Sequence, residues 1–316
     1  VTGVDAGMSA GTLIAFLFLV NLLVQPIQTL VETLNHAQSA GAGVRRILRI
    51  LDSPIEIDDP ATPVPLPDGA LDIDFDGVSF YYKEDAPLFE HLSLHIEAGT
   101  RVAVVGETGS GKSTFSKLLT RIHDPIEGAV KVGGVPLASV DTADLRSRLS
   151  YVPQEGFLFD TTIADNIRYG KPEATNTEIM AAISDLELNA WLADMPGGLQ
   201  TPVGERGGQL SSGERQLVAL ARAWIAAPDV LVLDEATSAV DPALEVQIRR
   251  AMERLISERT SVTVAHRLST AEAADEILVF DEGVLVERGS HNDLVVAGGV
   301  YTALYADWVK GTAKVD

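Results

Sequence analysis

The longest apolar stretch opens the chain. From residue 6 to residue 31 no side chain is charged, and the core of the run, residues 13–24, has Asn21 as its one polar member. These 26 residues, at about 1.5 Å each, give roughly 39 Å of helix against a hydrocarbon core of about 30 Å. A transmembrane helix is therefore expected over residues 9–31. A secretory leader would need a basic start and a small-residue cleavage site, whereas here the start carries Asp5 and the run closes in VQPIQTLVETL. Its length also argues against a buried core helix. Apolar positions then recur at Ile27, Leu30, Leu34, Val44, Ile47, Leu48 and Leu51, mostly in steps of three and four, so the helix is expected to continue past a kink at Pro26. Arg45, Arg46 and Arg49 follow, and the positive-inside bias puts that end in the cytoplasm.

Beyond residue 52 the pattern changes. Five of the fifteen prolines fall between Pro54 and Pro67, where extended backbone is favoured, and residues 53–70 read as a linker. LDIDFDGVSFYY (71–82) then alternates like a strand, and LHIEAGTRVAVVG (94–106) supplies a second strand region ending in glycine. Helical patterns and short apolar strands intermix from there to Trp308, with no internal repeat. An α/β domain is expected over 71–310, with 311–316 as a tail.

Composition narrows the class. A 46% hydrophobic content supports a packed core, and the net charge of −21 falls on the part after residue 52, because Asp5, Glu32 and Asp52 balance the three arginines before it. Such a surface repels nucleic acid. The absence of cysteine removes disulfides and thiolate metal sites, and the six histidines make no metal-binding spacing.

Two segments carry phosphate chemistry. GETGSGKST (106–114) follows the apolar strand 102–105 and opens a helix, as the Walker A pattern requires. Gly106, Gly109 and Gly111 let backbone N–H groups approach phosphate oxygens, with Thr108, Ser110 and Thr114 completing the loop. Lys112 reaches the β- and γ-phosphates and Ser113 ligates Mg²⁺. DVLVLDE (229–235) is a continuous apolar strand closing on two carboxylates at the edge where nucleotides bind in parallel sheets. Asp234 is expected to hold Mg²⁺ through water, and Glu235 to act as general base on the attacking water.

LSSGERQ (210–216), placed between these two segments, resembles the signature of the ATP-binding-cassette (ABC) family, and the likeness extends from about residue 71 to 308. The resemblance implies a P-loop NTPase domain with a helical and an antiparallel β subdomain, ATP and Mg²⁺ as ligands, and a site completed only by a second chain. It makes Tyr82 the adenine platform, with Tyr81 as its neighbour. Gln154 becomes a catalytic and Mg²⁺-contacting glutamine beside the transmembrane contact, residues 238–241 the D-loop, and His266 the switch histidine on the γ-phosphate. Ser211, Ser212, Gly213 and Glu214 would meet the nucleotide of the opposite subunit. Two positions depart from the commoner LSGGQRQ: Ser212 adds a side chain where backbone must come close, and Glu214 adds negative charge. Ser211 with Glu214 also spells a capping box, which turns the carboxylate back to the helix N-cap. Valine at 240 is a mild departure from the usual D-loop leucine.

TPVGERG (201–207), FLFDTTIADNIRYG (157–170) and GSHNDL (289–294) are similar to exporter-type ABC proteins, as is the N-terminal helix running into RRILRILDSP. The resemblance implies a half-transporter in the cell membrane with its ATPase domain in the cytoplasm, partnered by a second half-transporter as homodimer or heterodimer, by lipid and by a transported substrate. Such a subunit has six membrane helices, so the chain is expected to be the C-terminal portion of a longer protein. A soluble ABC ATPase acting on nucleic acid or ribosomes is the alternative, opposed by the apolar run and the acidic domain. A non-hydrolysing ATP-gated module is opposed by intact Lys112, Glu235 and His266.

Overall fold

The computed structural model describes residues 9–53, 57–83, 86–154, 156–234, 241–257, 259–265 and 268–312. They form two compact units, residues 1–56 and residues 57–316, each described by itself.

The first unit is one helix, α1 (Ala10–Leu51), of 42 residues, about 63 Å long. Ser9 starts it by accepting the Thr12 N–H at 3.2 Å, and the helix runs on through Pro26. None of its residues is buried, and among the described residues it alone is long and apolar enough to cross a membrane. Its few polar side chains are satisfied locally. Asn21 Nδ2 donates to the Leu17 carbonyl (3.2 Å), Thr29 Oγ1 to Gln25 (3.1 Å) and Thr33 Oγ1 to Thr29 (2.7 Å), the pattern that lets polar groups sit in lipid.

The second unit begins with an extended strap rather than a free linker. Val64 N–H donates to the Ser139 carbonyl and Leu66 N–H to Asp144, while Thr142 bonds Asp59 and the Arg121 guanidinium reaches the Asp58 carbonyl. Leu66 is buried. The prolines thus fix an extended backbone whose remaining polar groups are taken by the domain.

Two sheets follow. Strands β1 (Ile73–Lys83) and β2 (Ala86–Ile96) form an antiparallel pair, and β1 also pairs with β4 (Glu127–Val132), which carries the short β5 (Val135–Pro136); the order is β2-β1-β4-β5. Alternation along β1 buries Ile73, Phe75, Val78 and Phe80. The sequence reading merged 94–106 into one strand region. The structure splits it: β2 ends at Ile96, the chain turns, and β3 (Arg101–Val105) enters the other sheet. Gly99 permits that turn with a φ of +77°.

The second sheet is ordered β10-β9-β3-β8-β7-β6, from β6 (Leu149–Val152), β7 (Val230–Asp234), β8 (Thr260–Val264), β9 (Glu276–Asp281) and β10 (Val284–Gly289). All its pairs are parallel except β9 with β10. Helix α2 (Lys112–Leu119) and α3 (Thr142–Arg148) border the core between the sheets, where Phe75 stacks on Phe115 at 4.5 Å. A second core gathers α4 (Ile163–Arg168), α5 (Asn176–Asp185), α6 (Asn189–Asp194), α7 (Ser212–Ala226) and α8 (Pro242–Ile256). A third packs α9 (Leu268–Glu272), α10 (His291–Ala297) and α11 (Val300–Thr312) around the buried Tyr301.

Candidate functional site

β3 is buried from Val102 to Val105 and delivers the chain to Gly106. There φ is +150°, and a Cβ would lie 2.1 Å from the Phe280 carbonyl oxygen, so no larger residue fits. Gly111, at φ +104°, packs so that a Cβ would meet the Phe89 ring at 2.9 Å, and as N-cap of α2 it provides no side-chain hydrogen bond. The first N–H groups of α2 are therefore left without a side-chain cap. Gly109 opens onto free space.

Three further features make this loop an anion cradle. Lys112 is buried and its Nζ donates to the Gly106 and Glu107 carbonyls, both at 2.7 Å. Burial pushes its ammonium below the ordinary value, against the pull of the Asp234 and Glu107 carboxylates. Ser110 Oγ is buried and has no hydrogen-bond partner among the described residues. An orphaned hydroxyl, uncapped helix N–H groups and a partly desolvated ammonium are the donors a polyphosphate takes up. Ser113 is exposed on the first turn of α2, while Thr114 is buried and its hydroxyl lies 3.2 Å from Tyr82 OH.

The acidic side of the site lies on β7, two strands from β3. Asp234 closes that strand, and its Oδ2 accepts the Tyr151 hydroxyl at 3.1 Å. Burial first, and the Asp234 charge second, raise the Tyr151 pKa well above a phenol's ordinary value, so the proton stays on tyrosine and orients the carboxylate. The sequence reading missed Tyr151, because only the parallel register of β6 with β7 brings it there. Asp234 Oδ1 has no hydrogen-bond partner among the described residues. Ser113 on α2 and Asp234 on β7 each offer oxygen, the donor type that suits a hard divalent cation. Gln154 follows β6 and is exposed.

Tyr82, 55% exposed, stands beside α2: its ring meets Phe80 edge-on at 5.0 Å, and Lys117 Nζ lies 5.8 Å from its centroid. Tyr81 is half-buried and pairs with Pro87 in the ladder, so Tyr82 is the one with a face to offer.

At the signature, Ser211 is the N-cap of α7. Its hydroxyl accepts the Glu214 N–H at 3.3 Å and its own N–H donates to the Glu214 carboxylate at 2.7 Å. The capping box expected from the sequence is present. Ser211 and Ser212 are exposed at this helix end, and Gly213 is buried. Glu235, the D-loop residues 238–240 and His266 lie outside the described residues.

The sequence did not single out an exposed aromatic patch near Gln154. Phe159 stacks on Tyr169 at 4.2 Å and meets Phe157 edge-on at 5.1 Å. The buried Asn166 holds it, donating to the Phe159 and Thr162 carbonyls and accepting from Phe159 N–H and Arg222. The histidines had suggested no metal spacing, yet Asp72, Asp74 and His95 converge with ligand atoms within 4.8 Å. His95 Nδ1 is already bonded to Asp74 at 2.7 Å, an ion pair that accounts for the cluster.

Comparison with known proteins follows the same lines. Residues 89–238 match the ABC transporter family. The chain is 42% identical over 294 residues to a fatty acid ABC transporter ATP-binding/permease protein of Mycobacterium bovis, covering 93% of this chain and 46% of that protein. It is 41% identical over 269 residues to an ATM1-type heavy metal exporter of Novosphingobium aromaticivorans, covering 85% and 44%. A solved bacterial Atm1-family ABC exporter with ATP bound superimposes with a TM-score of 0.77 at 39% identity, over 91% of this chain and 50% of that one. The chain thus spans about half the length of these relatives. With its phosphate loop, its carboxylate strand and its signature helix on an ABC ATPase fold, the chain belongs to the ABC transporter family.

Proposed function

We propose that this chain is the ATP-hydrolysing part of an exporter-type ABC transporter, coupling ATP-dependent pairing of two such domains to substrate translocation across a membrane. The observation that carries the reading is the bare N-terminus of α2, with Lys112 buried beside it and the Ser110 hydroxyl orphaned. Those donors are arranged for a polyphosphate. The similarity to exporters supplies the transport half of the reading.

In this reading Lys112 leaves the Gly106 and Glu107 carbonyls for the β- and γ-phosphates, and the N–H groups of 109–114 close around them. Ser113, Gln154 and Asp234 would hold Mg²⁺, whose chemistry there would be to offset the negative charge of the phosphates. Tyr151 keeps the Asp234 carboxylate oriented through its 3.1 Å hydrogen bond. Glu235 accepts the proton of the attacking water and His266 contacts the γ-phosphate. Tyr82 stacks on adenine. Ser211, Ser212 and Gly213 of a partner chain close the site, with Glu214 turned to its own N-cap. α1 spans the membrane as one helix of a multi-pass domain, and the patch of Phe157, Phe159 and Tyr169 beside Gln154, with 201–207, meets the ends of membrane helices. The partner is a second half-transporter, identical or related.

Lys112→Ala tests the central step. Removing a charged hydrogen-bond donor costs about 1.5–3 kcal/mol, so ATP affinity should fall about 10- to 150-fold in equilibrium dialysis. Unchanged affinity would reject this loop as the nucleotide site.

A further inference from the structure

Tyr82 owes its place to β1 but its ring plane to residues elsewhere in the chain. Phe80 and Tyr82 are two apart and share one face of the strand. Phe80 is buried, whereas Tyr82 emerges beyond the end of the core. The terminal torsion of a tyrosine is broad, so an exposed ring at a strand end turns unless its neighbours hold it. A stacking platform needs one fixed plane.

His123 supplies the hold. Its ring lies 5.6 Å from that of Tyr82 at 85° and 5.5 Å from that of Phe80 at 31°, while Phe80 meets Tyr82 at 89°. Phe80 and His123 are thus roughly parallel, and Tyr82 stands perpendicular to both. These separations fall within the range of about 4.5–7 Å over which edge-to-face pairs are favourable. Turning the Tyr82 ring about its Cβ–Cγ bond would lose both contacts at once. From α2, Lys117 Nζ comes within 5.8 Å of the ring centroid and Thr114 Oγ1 within 3.2 Å of the hydroxyl. Those two residues are three apart, on one face of the helix that begins at the phosphate loop.

The turn that carries His123 is fastened at both ends. At the close of α2 the N–H groups of Ile122 and His123 both donate to the Lys117 carbonyl, at 2.8 and 3.4 Å. Arg121, just before them, is buried and donates to Asp124 Oδ1 at 3.2 Å and to the Val140 and Asp58 carbonyls at 3.0 Å each. Beyond the histidine, the Ile126 N–H donates to the Ser79 carbonyl at 2.9 Å, next to Phe80 on β1. The imidazole is therefore brought to Tyr82 by α2 and β1 together.

We infer that His123 is a positioning residue of the base platform: with Phe80 it fixes the plane of the Tyr82 ring before a nucleobase arrives, and it acts on ATP affinity only through Tyr82. The inference rests on the nucleotide reading of the phosphate loop and of Tyr82. It implies that the tyrosine hydroxyl is dispensable, because ring contacts rather than the Thr114 bond set the plane.

The test compares ATP with inorganic tripolyphosphate, which carries phosphates and no base. Both are titrated calorimetrically, with Mg²⁺, into the full chain in nanodiscs carrying Glu235→Gln to prevent turnover. His123→Ala should weaken ATP about two- to twelvefold, the worth of one aromatic pair, and leave tripolyphosphate within about 1.5-fold, which also shows the phosphate loop to be folded. His123→Phe should restore ATP binding. With Tyr82→Ala already present, His123→Ala should change ATP affinity by less than about 1.5-fold, because no ring remains to be positioned. Unchanged ATP affinity in His123→Ala, an equal loss of tripolyphosphate, no rescue by phenylalanine, or an additive loss on top of Tyr82→Ala would overturn the assignment. Tripolyphosphate binding that ignores Lys112→Ala would instead reject the nucleotide reading itself, and this inference with it.

Discussion

In the proposed mechanism two helices of this chain present their N-termini to phosphate, and they are built in opposite ways. α2 begins at Gly111, in a left-handed conformation and with no side chain to cap it. α7 begins at Ser211, whose hydroxyl and N–H are both tied to Glu214. A bare helix end has N–H donors to spend on an anion, reinforced here by Lys112, whereas a capped end has already satisfied part of its own set. The difference explains the glycines at one end and the hydroxyls at the other. It also predicts that α2 binds nucleotide by itself, while α7 adds a weaker contact that counts only when a second chain brings it.

The largest effect should come from Glu235, the proposed general base. Glu235→Gln keeps a hydrogen-bonding group but removes the base, so ATP turnover should drop by about two to four orders of magnitude, measured as phosphate release. Near-wild-type turnover would place the base elsewhere.

Next comes the platform beside α2. Tyr82→Ala should weaken ATP by about 1–3 kcal/mol, and Tyr82→Phe should restore it, because stacking needs the ring and not the 3.2 Å hydroxyl contact with Thr114. If Tyr81→Ala causes the loss instead, the assignment moves one residue along β1.

The smallest change is expected at the capped end. With the Glu214 carboxylate 2.7 Å from the Ser211 nitrogen, Glu214→Gln preserves the capping geometry and should alter ATP affinity by less than about threefold. A large gain in affinity would mean that the carboxylate faces nucleotide and that the two helix ends are less different than they look.

Much of this contrast was legible in the sequence, because it rests on local rules. A strand-glycine-lysine-helix string specifies its own turn, and Ser211 with Glu214 three residues on specifies its own cap. The apolar run of α1 was equally readable from length and charge. Features that need tertiary register were not. Tyr151 reaches Asp234 only because β6 lies beside β7, and the prolines of 57–70 gave no hint that Arg121, Asp144 and Ser139 would strap that segment to the domain. The break between β2 and β3 was hidden because both flanks are apolar and only a short turn separates two different sheets.

The most direct test of the account asks whether the capped end of one chain completes the bare end of another. Residues 53–316 carrying Glu235→Gln, which bind ATP without consuming it, should run as a monomer alone and as a dimer with saturating Mg-ATP in size-exclusion chromatography with light scattering. A monomer that stays monomeric with Mg-ATP bound would contradict it.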